Sequence, residues 1–353
     1  MESILPLLEK VQKAAVAVKR LTLEDKKKIL TDLSEALTTQ TASIIEHNQK
    51  DLARMEDTNP KKDRLLLNED RIKALADSLQ DILKLKDPTG NILADNTMPN
   101  GLHIQKITVP IGVVGVIYEA RPNVTIDVAA LCLYAGNAVV LRGGSDAEFT
   151  NEILVNIIHE VLQKNGVDTG AIQLLPVDRK YVKELLEAVQ YVDIIIPRGS
   201  QQLIDFVREN AKVPTIETGA GVCHTYVEST ADIAMATKIV VNAKTHRPSV
   251  CNALDTVIVD RKIAATFLPK LISGFLQFQV EVFADENAYD IFKQAGYSNL
   301  RRATPEHFGM EYLSQKCSVK IVDTFEEALE HIRQYSSKHS EAIVSSSAEL
   351  CER

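Results

Sequence analysis

The segment Arg247-Pro248-Ser249-Val250-Cys251-Asn252-Ala253-Leu254-Asp255-Thr256 offers the sharpest chemistry in this chain. Cys251 follows a helical stretch, Met235 to Lys244, and precedes the β-branched run Val257-Ile258-Val259. A thiol in such a loop, with Lys244, His246 and Arg247 close in sequence, is a candidate nucleophile, because neighbouring cations favour the thiolate that attacks carbonyl carbon. The competing reading is a small buried apolar side chain, the commoner fate of a free cysteine. Asn123 lies in a loop after an apolar strand and could donate its amide N–H to a developing oxyanion. It could equally cap the helix that follows. Glu217 is a candidate base and His224 a candidate general acid, each weighed against a solvated carboxylate or a satisfied core histidine.

A second group of residues has the chemistry of anion binding. Gly136 to Ser145 reads as a turn, a strand and a glycine-rich loop. Arg142 could pair with a phosphate, and the backbone at Gly143 and Gly144 could approach a nucleotide closely. The run departs from the G-x-G-x-x-G fingerprint. Ile196-Pro197-Arg198-Gly199-Ser200 is a strand entering a helix capped by Ser200, and such a helix start can hold a pyrophosphate. Glu306-His307-Phe308-Gly309 is a polar-aromatic turn.

These residues need elements to position them. The first ninety residues are helical, with Thr22 and Asp25 forming a helix start and Asn68 capping a helix whose apolar face is Ile72, Leu75, Ala76, Leu79, Ile82 and Leu83. Asn91 to Thr108 reads as a β ribbon turning at Pro99-Asn100-Gly101. From Val109, strands 111–118, 138–141, 172–175 and 193–196 alternate with helices 125–134, 146–164, 181–189 and 200–211. That order predicts an α/β fold with a doubly wound parallel sheet. A second α/β region follows Glu228, with strands 256–259, 319–322 and 342–344 and a helix over 325–335. The predicted division is 1–90 with 109–228, the ribbon 91–108, and 229–353.

Composition bounds the rest. A chain of 353 residues exceeds one ordinary core. A net charge of −8 argues against nucleic-acid binding, and no apolar run reaches the length of a membrane span. Five widely spaced cysteines without a C-x-x-C pair fit a reducing, cytoplasmic setting and supply no zinc or disulfide framework, so no metal is expected.

In order along the chain, Pro110–Gly115, Asn123, Gly136–Arg142, Gly199–Ser200, Glu217–Gly219, Cys251 and Glu306–Gly309 resemble the motifs of the aldehyde dehydrogenase superfamily. Within it, the resemblance is closest to the γ-glutamyl phosphate reductase family. Val116 to Thr125, Leu141 to Ser145, Ile196 to Ser200, Cys223 to Val227, Cys251 to Thr256, Glu306 to Gly309 and Tyr335 to Ile343 carry it, across essentially the whole chain.

The resemblance implies an aldehyde-dehydrogenase-like fold with a cofactor domain, a catalytic cysteine domain and an oligomerisation ribbon. It implies NADPH-dependent reduction of L-glutamyl 5-phosphate to L-glutamate 5-semialdehyde. Cys251 carries the acyl group and Asn123 assists. Arg142, Gly143, Ser145, Gly199, Ser200 and Glu306 hold the cofactor, and Glu217, His246 and Arg247 are weaker catalytic candidates. Ser145 stands where many NAD-using relatives carry a glutamate on the adenosine ribose, so NADP is expected over NAD. Association with glutamate 5-kinase, and a homo-oligomer where the C-terminus is complete, are the expected partnerships. Members of the family run some tens of residues beyond this chain's Arg353, through the last strands of the oligomerisation region, so the ribbon is expected to lack those partner strands here. The alternatives are a CoA-acylating relative and an inactive nucleotide-binding homologue.

Overall fold

The computed structural model describes residues 3–56, 62–119, 121–217 and 221–353. The chain divides into two units, Met1–Thr218 and Gly219–Arg353.

The first unit opens with helices α1 (Leu5–Val18), α2 (Leu23–Thr39), α3 (Thr41–Ala53), α4 (Lys62–Leu65) and α5 (Glu69–Leu83). The sequence dictates two of their starts. Thr22 Oγ1 accepts from Asp25 N at 3.2 Å while Asp25 Oδ2 accepts from Thr22 N at 2.9 Å, so both open donors are satisfied by one box. Asn68 Oδ1 accepts from Arg71 N at 2.9 Å, and α5 buries Ile72, Leu75, Ala76, Leu79 and Ile82, the stripe its spacing predicts.

A ribbon of β1 (Ile92–Thr97) and β2 (His103–Ile107) follows, antiparallel and exposed along its whole length. Then come β3 (Val113–Tyr118), α6 (Asn123–Tyr134), β4 (Ala138–Arg142), α7 (Glu148–Lys164), β5 (Ile172–Leu174), α8 (Arg179–Leu186), β6 (Ile194–Arg198) and α9 (Gln201–Asn210). The sheet order is β5-β4-β3-β6, all parallel. Alternate strand residues feed two cores. Val114, Val116, Val139 and Leu141 pack with α2, α5, α6 and α7, whereas Val113, Ile117, Val140 and Ile195 pack with α1 and α8. Burial on both faces is why these strands read as continuous apolar runs.

The second unit contains β7 (Cys223–Val227), α10 (Ile233–Thr245), β8 (Leu254–Asp260), α11 (Arg261–Gln277), β9 (Glu281–Ala284), α12 (Glu286–Gln294), β10 (Leu300–Arg302), α13 (Pro305–Phe308), β11 (Lys316–Val322), α14 (Phe325–Tyr335), β12 (Glu341–Val344) and α15 (Ala348–Glu352). Its six strands run in the order β10-β9-β11-β8-β7-β12, again all parallel. Helices α10, α11 and α12 cover one face, and α14 covers the other over Tyr226, Ile258 and Val322.

Two expectations need correcting. The boundary lies at 218/219 rather than 228/229, because β7 is fully buried between β8 and β12 and so belongs to the second sheet. That sheet also holds β9 and β10, which the sequence reading left out. Among the described residues no helix is long and apolar enough to cross a membrane.

Candidate functional site

Each unit gathers part of the predicted site. In the second, α10 ends at Thr245 and the chain makes two successive turns before β8. Val250 N donates to Arg247 O at 3.3 Å and Ala253 N to Val250 O at 3.1 Å. These turns lift Cys251 into solvent, whereas Cys132, Cys223 and Cys317 have thiols pushed up to about 12 by burial. Cys351, on α15, is also exposed. His246 and Arg247 are exposed on the same loop as Cys251.

The lead-in to β7 packs against this loop. A Cβ on Gly221 would overlap the Cys251 carbonyl oxygen, so only glycine permits the approach. Gly221 N donates to Glu311 Oε1 at 3.0 Å, Val222 N to Ser337 Oγ at 2.8 Å and Cys223 N to Asp255 Oδ2 at 3.3 Å. The Cys223 thiol donates to Cys251 O at 3.3 Å.

Burial removes Lys244 as a cation for the thiol and bears out the core reading of His224. Lys244 is fully enclosed, donates to Lys316 O at 2.8 Å and lies 3.9 Å from Asp255 Oδ1. Burial holds its pKa below the usual lysine range, and its ammonium braces the start of β8. His224 is buried beneath α14, with Nδ1 3.1 Å from Glu341 Oε2 and its ring edge-on to His331. It is a core histidine. Glu306 is exposed in the first turn of α13, and a hydrogen bond from the Thr304 side chain holds its carboxyl below the usual range.

In the first unit the predicted residues sit at the carboxyl ends of the strands. Asn123 begins α6 without capping it. Its amide donates to Asp127 Oδ2 at 3.0 Å, which leaves a second N–H. Arg142 ends β4, where its Nη2 donates to Val177 O at 2.7 Å and its buried Nε has no protein partner. Burial, and next the adjacent Arg179, depress its pKa. A half-buried cation with a spare donor beside a second cation is relieved by an anion. Arg179, which the sequence reading missed, opens α8 and lies 37 residues beyond Arg142 in the chain (179 − 142), so only the fold could pair them. Ser145 is exposed just beyond Arg142, with no carboxylate of its own to repel that anion.

The glycines behave differently from expectation. A Cβ on Gly143 would strike the Asn151 amide, so its close approach serves internal packing. Gly143 and Val177 line a cavity of about 420 Å³ that also carries Glu148 and Glu152, an unfavourable lining for phosphate. At the start of α9, Ser200 Oγ accepts from Leu203 N at 3.4 Å, as a cap should. Glu119, a second residue the sequence reading missed, already occupies that helix start. Ser200 N donates to Glu119 Oε2 at 2.9 Å and Ser200 Oγ to Glu119 Oε1 at 2.8 Å, and a Cβ on Gly199 would lie 2.8 Å from the same carboxyl carbon. The helix end attracts an anion, as its geometry predicts, and the anion is the chain's own.

Glu217 accepts from Arg208 Nε at 2.6 Å, an ion pair that removes it from the role of free base. The rest of its predicted turn, Thr218, Gly219 and Ala220, lies outside the described residues, as does Ala120 of the Tyr118–Asn123 loop. Among the described residues no cluster of three or more His, Cys, Asp or Glu could hold a metal.

Comparison with known proteins places this geometry. A profile described as "Aldehyde dehydrogenase family" matches residues 5–291. A gamma-glutamyl phosphate reductase of Pelodictyon phaeoclathratiforme is 49% identical over 350 residues, covering 99% of this chain and 83% of the relative. One from Chlorobaculum parvum is 50% identical over 346 residues, covering 98% and 82%. The crystal structure of gamma-glutamyl phosphate reductase from Thermotoga maritima superposes with a TM-score of 0.94 at 35% identity, over 99% of this chain and 84% of that one. An acetylating aldehyde dehydrogenase from Geobacillus thermoglucosidasius shares the fold alone, at 18% identity and a TM-score of 0.67 over 98% of this chain and 82% of that one. The chain is an oxidoreductase of the kind that takes a nicotinamide cofactor: it belongs to the aldehyde dehydrogenase family and, within it, to the gamma-glutamyl phosphate reductases.

Proposed function

We propose that this chain reduces L-glutamyl 5-phosphate to L-glutamate 5-semialdehyde and phosphate with NADPH, the second step of proline biosynthesis. The observation that carries the reading is Cys251. It is the exposed thiol inside the region shared with the family, on a turn at the mouth of a buried sheet.

Its thiolate attacks the γ-carbonyl carbon, and the carbonyl electron pair moves onto oxygen. That oxyanion collapses, the carbon–oxygen bond to phosphate breaks, and phosphate leaves with the electron pair. The Cys251 thioester then accepts a hydride, which the nicotinamide supplies when bound. The resulting hemithioacetal oxyanion re-forms the carbonyl, the carbon–sulfur bond breaks, and the thiolate returns as the aldehyde departs. The Cys251 N–H and the spare Asn123 N–H are the oxyanion donors in this reading. His246 and Arg247 supply positive charge on the Cys251 loop for the thiolate or the departing phosphate.

The choice of NADP rests on Arg142, with its unpartnered Nε, on neighbouring Arg179, and on Ser145 in place of a carboxylate. Glu306 is assigned to the nicotinamide ribose and Ser200 to the pyrophosphate. Self-association through the ribbon is supported by exposed Ile92, Leu93, Ile104 and Ile107 on a two-stranded sheet too small to be stable alone. A labile acyl phosphate favours association with the glutamate 5-kinase that makes it.

The test runs the reaction backwards. Glutamate 5-semialdehyde should reduce NADP⁺ through many turnovers, and faster than NAD⁺, only when phosphate is present; without phosphate reduction should stop after one turnover, with a γ-glutamyl group recovered on Cys251 by mass spectrometry. Reduction that needs CoA instead of phosphate, or an acyl group on another residue, overturns the reading.

A further inference from the structure

We infer that Cys223 is a positioning residue for the nucleophile: its thiol holds the Cys251 carbonyl and so fixes the backbone on which the attacking sulfur and its oxyanion donor are carried. This rests on Cys251 being the nucleophile, as proposed above.

The loop has few tethers of its own. Its turns are closed by the bonds from Val250 to Arg247 and from Ala253 to Val250; the second holds the peptide unit that carries the Cys251 N–H, and neither reaches the Cys251 carbonyl. The bond from Cys223 to the Cys251 carbonyl, Sγ to O 3.3 Å, reaches the residue itself. Gly221 supplies the steric half of the same clamp, because its Cα lies where any Cβ would overlap that carbonyl oxygen. The carbonyl therefore meets a donor and a wall contributed by neighbouring residues of one strand lead-in.

That lead-in is itself rigid. Asp255 accepts from Cys223 N at 3.3 Å and from Tyr312 N at 3.0 Å, and Lys244 lies beside it in the buried interior. Glu311 and Ser337 hold Gly221 N and Val222 N. The two strands that follow, β7 and β8, are paired neighbours, so the clamp is set by sheet register. With the Val250 carbonyl held by Ala253 and the Cys251 carbonyl by Cys223, both peptide units that flank Cys251 are fixed, and with them its torsions and the aim of its sulfur relative to the N–H that meets the developing oxyanion.

The chemistry of Cys223 suits a donor. It is 4% exposed, and burial keeps its thiol up near 12, so it retains its proton across the physiological range. It has one proton and two acceptors in range. His339 Nδ1 lies at 3.9 Å, against 3.3 Å for the Cys251 oxygen, so the shorter bond is favoured.

The experiment separates positioning from packing and from the identity of the substrate. In the full chain, two reactions of Cys251 are timed: acylation by p-nitrophenyl acetate, which passes through an oxyanion, and alkylation by iodoacetamide, which does not. Cys223→Ala should lower the ratio of acylation to alkylation about tenfold, the factor expected for about 1.4 kcal/mol of lost oxyanion alignment. Cys223→Ser keeps an O–H donor and should stay within about threefold of the parent ratio. A ratio in Cys223→Ala within twofold of the parent, or an equal fall in Cys223→Ser, overturns the inference. Failure of the functional reading would look different: the parent chain would acylate normally yet show no phosphate-dependent reduction of NADP⁺.

Discussion

The two sheets of this protein are both all-parallel, yet they present chemistry from opposite ends. In the first unit Asn123, Arg142, Arg179 and Ser200 follow β3, β4, β5 and β6, so they stand at the carboxyl edge, where helices begin. In the second unit Cys251 precedes β8 and Cys223 opens β7, so the proposed nucleophile stands at the amino edge, where α10 has just ended. A helix start offers free N–H groups and the positive end of the dipole, which suits phosphate. A helix end offers neither. On the proposed reading, unit one binds anions with ordinary α/β geometry, whereas unit two provides for a thiolate with side chains and a turn. If so, the usual expectation for ligand sites in open α/β sheets describes the first unit and fails for the second.

The comparison predicts that carboxyl-edge substitutions change cofactor affinity while amino-edge ones change turnover, and Asn123 is the residue that should break the rule. It sits at the carboxyl edge but is assigned to the oxyanion. Asn123→Ala should lower kcat roughly 10²–10³-fold while leaving the NADPH dissociation constant unchanged in a fluorescence titration. An effect on NADPH affinity alone would return Asn123 to the cofactor side and restore the simple division.

Arg142 and Arg179 sharpen the carboxyl-edge half. Removing either should weaken NADPH binding by roughly 10–100-fold, the worth of one charge-assisted hydrogen bond. NADH, which lacks the 2′-phosphate, should be almost unaffected. Alkylation of Cys251 in the same variants should proceed at the parent rate. Equal losses for NADPH and NADH would mean that the two arginines hold the fold or the pyrophosphate instead.

The contrast also explains what the sequence disclosed. What was legible is local: the Thr22, Asn68 and Ser200 caps and the Gly136–Arg142 turn and strand each depend on residues a few positions apart. The helix over 325–335 agrees with α14 for the same reason. What escaped was long-range. β9 and β10 are short, and β10 is a charged edge strand with no pattern of its own. Cys223 read as part of a motif, and its partnership with Cys251 appears only once β7 and β8 pair. Lys244 looked like a cation for the thiol because sequence proximity does not reveal which face of α10 turns inward. Glu119 and Ser200 lie 81 residues apart, so the carboxylate that would be a competitor at the proposed pyrophosphate site was invisible.

That competitor gives the smallest of the expected effects and the finest test of the carboxyl-edge rule. Glu119 holds both the backbone and the side-chain donor of Ser200, the groups a pyrophosphate would use. A carboxylate there stabilises the helix start in the free chain and must give way, or share donors at a cost in repulsion, when a dianionic bridge arrives. Glu119→Gln removes the charge and keeps an acceptor for the Ser200 N–H, so the cap should survive. NADPH should then bind about fivefold more tightly, in line with the ~1 kcal/mol of a solvent-screened charge contact. The gain should shrink as salt is raised, because screening already weakens the repulsion in the parent. Arg142 lies on another strand, so the NADPH-over-NADH preference should not move. If binding instead weakens, Glu119 orders the helix start for the cofactor rather than competing with it, and the anion site at the carboxyl edge is completed by the chain's own carboxylate.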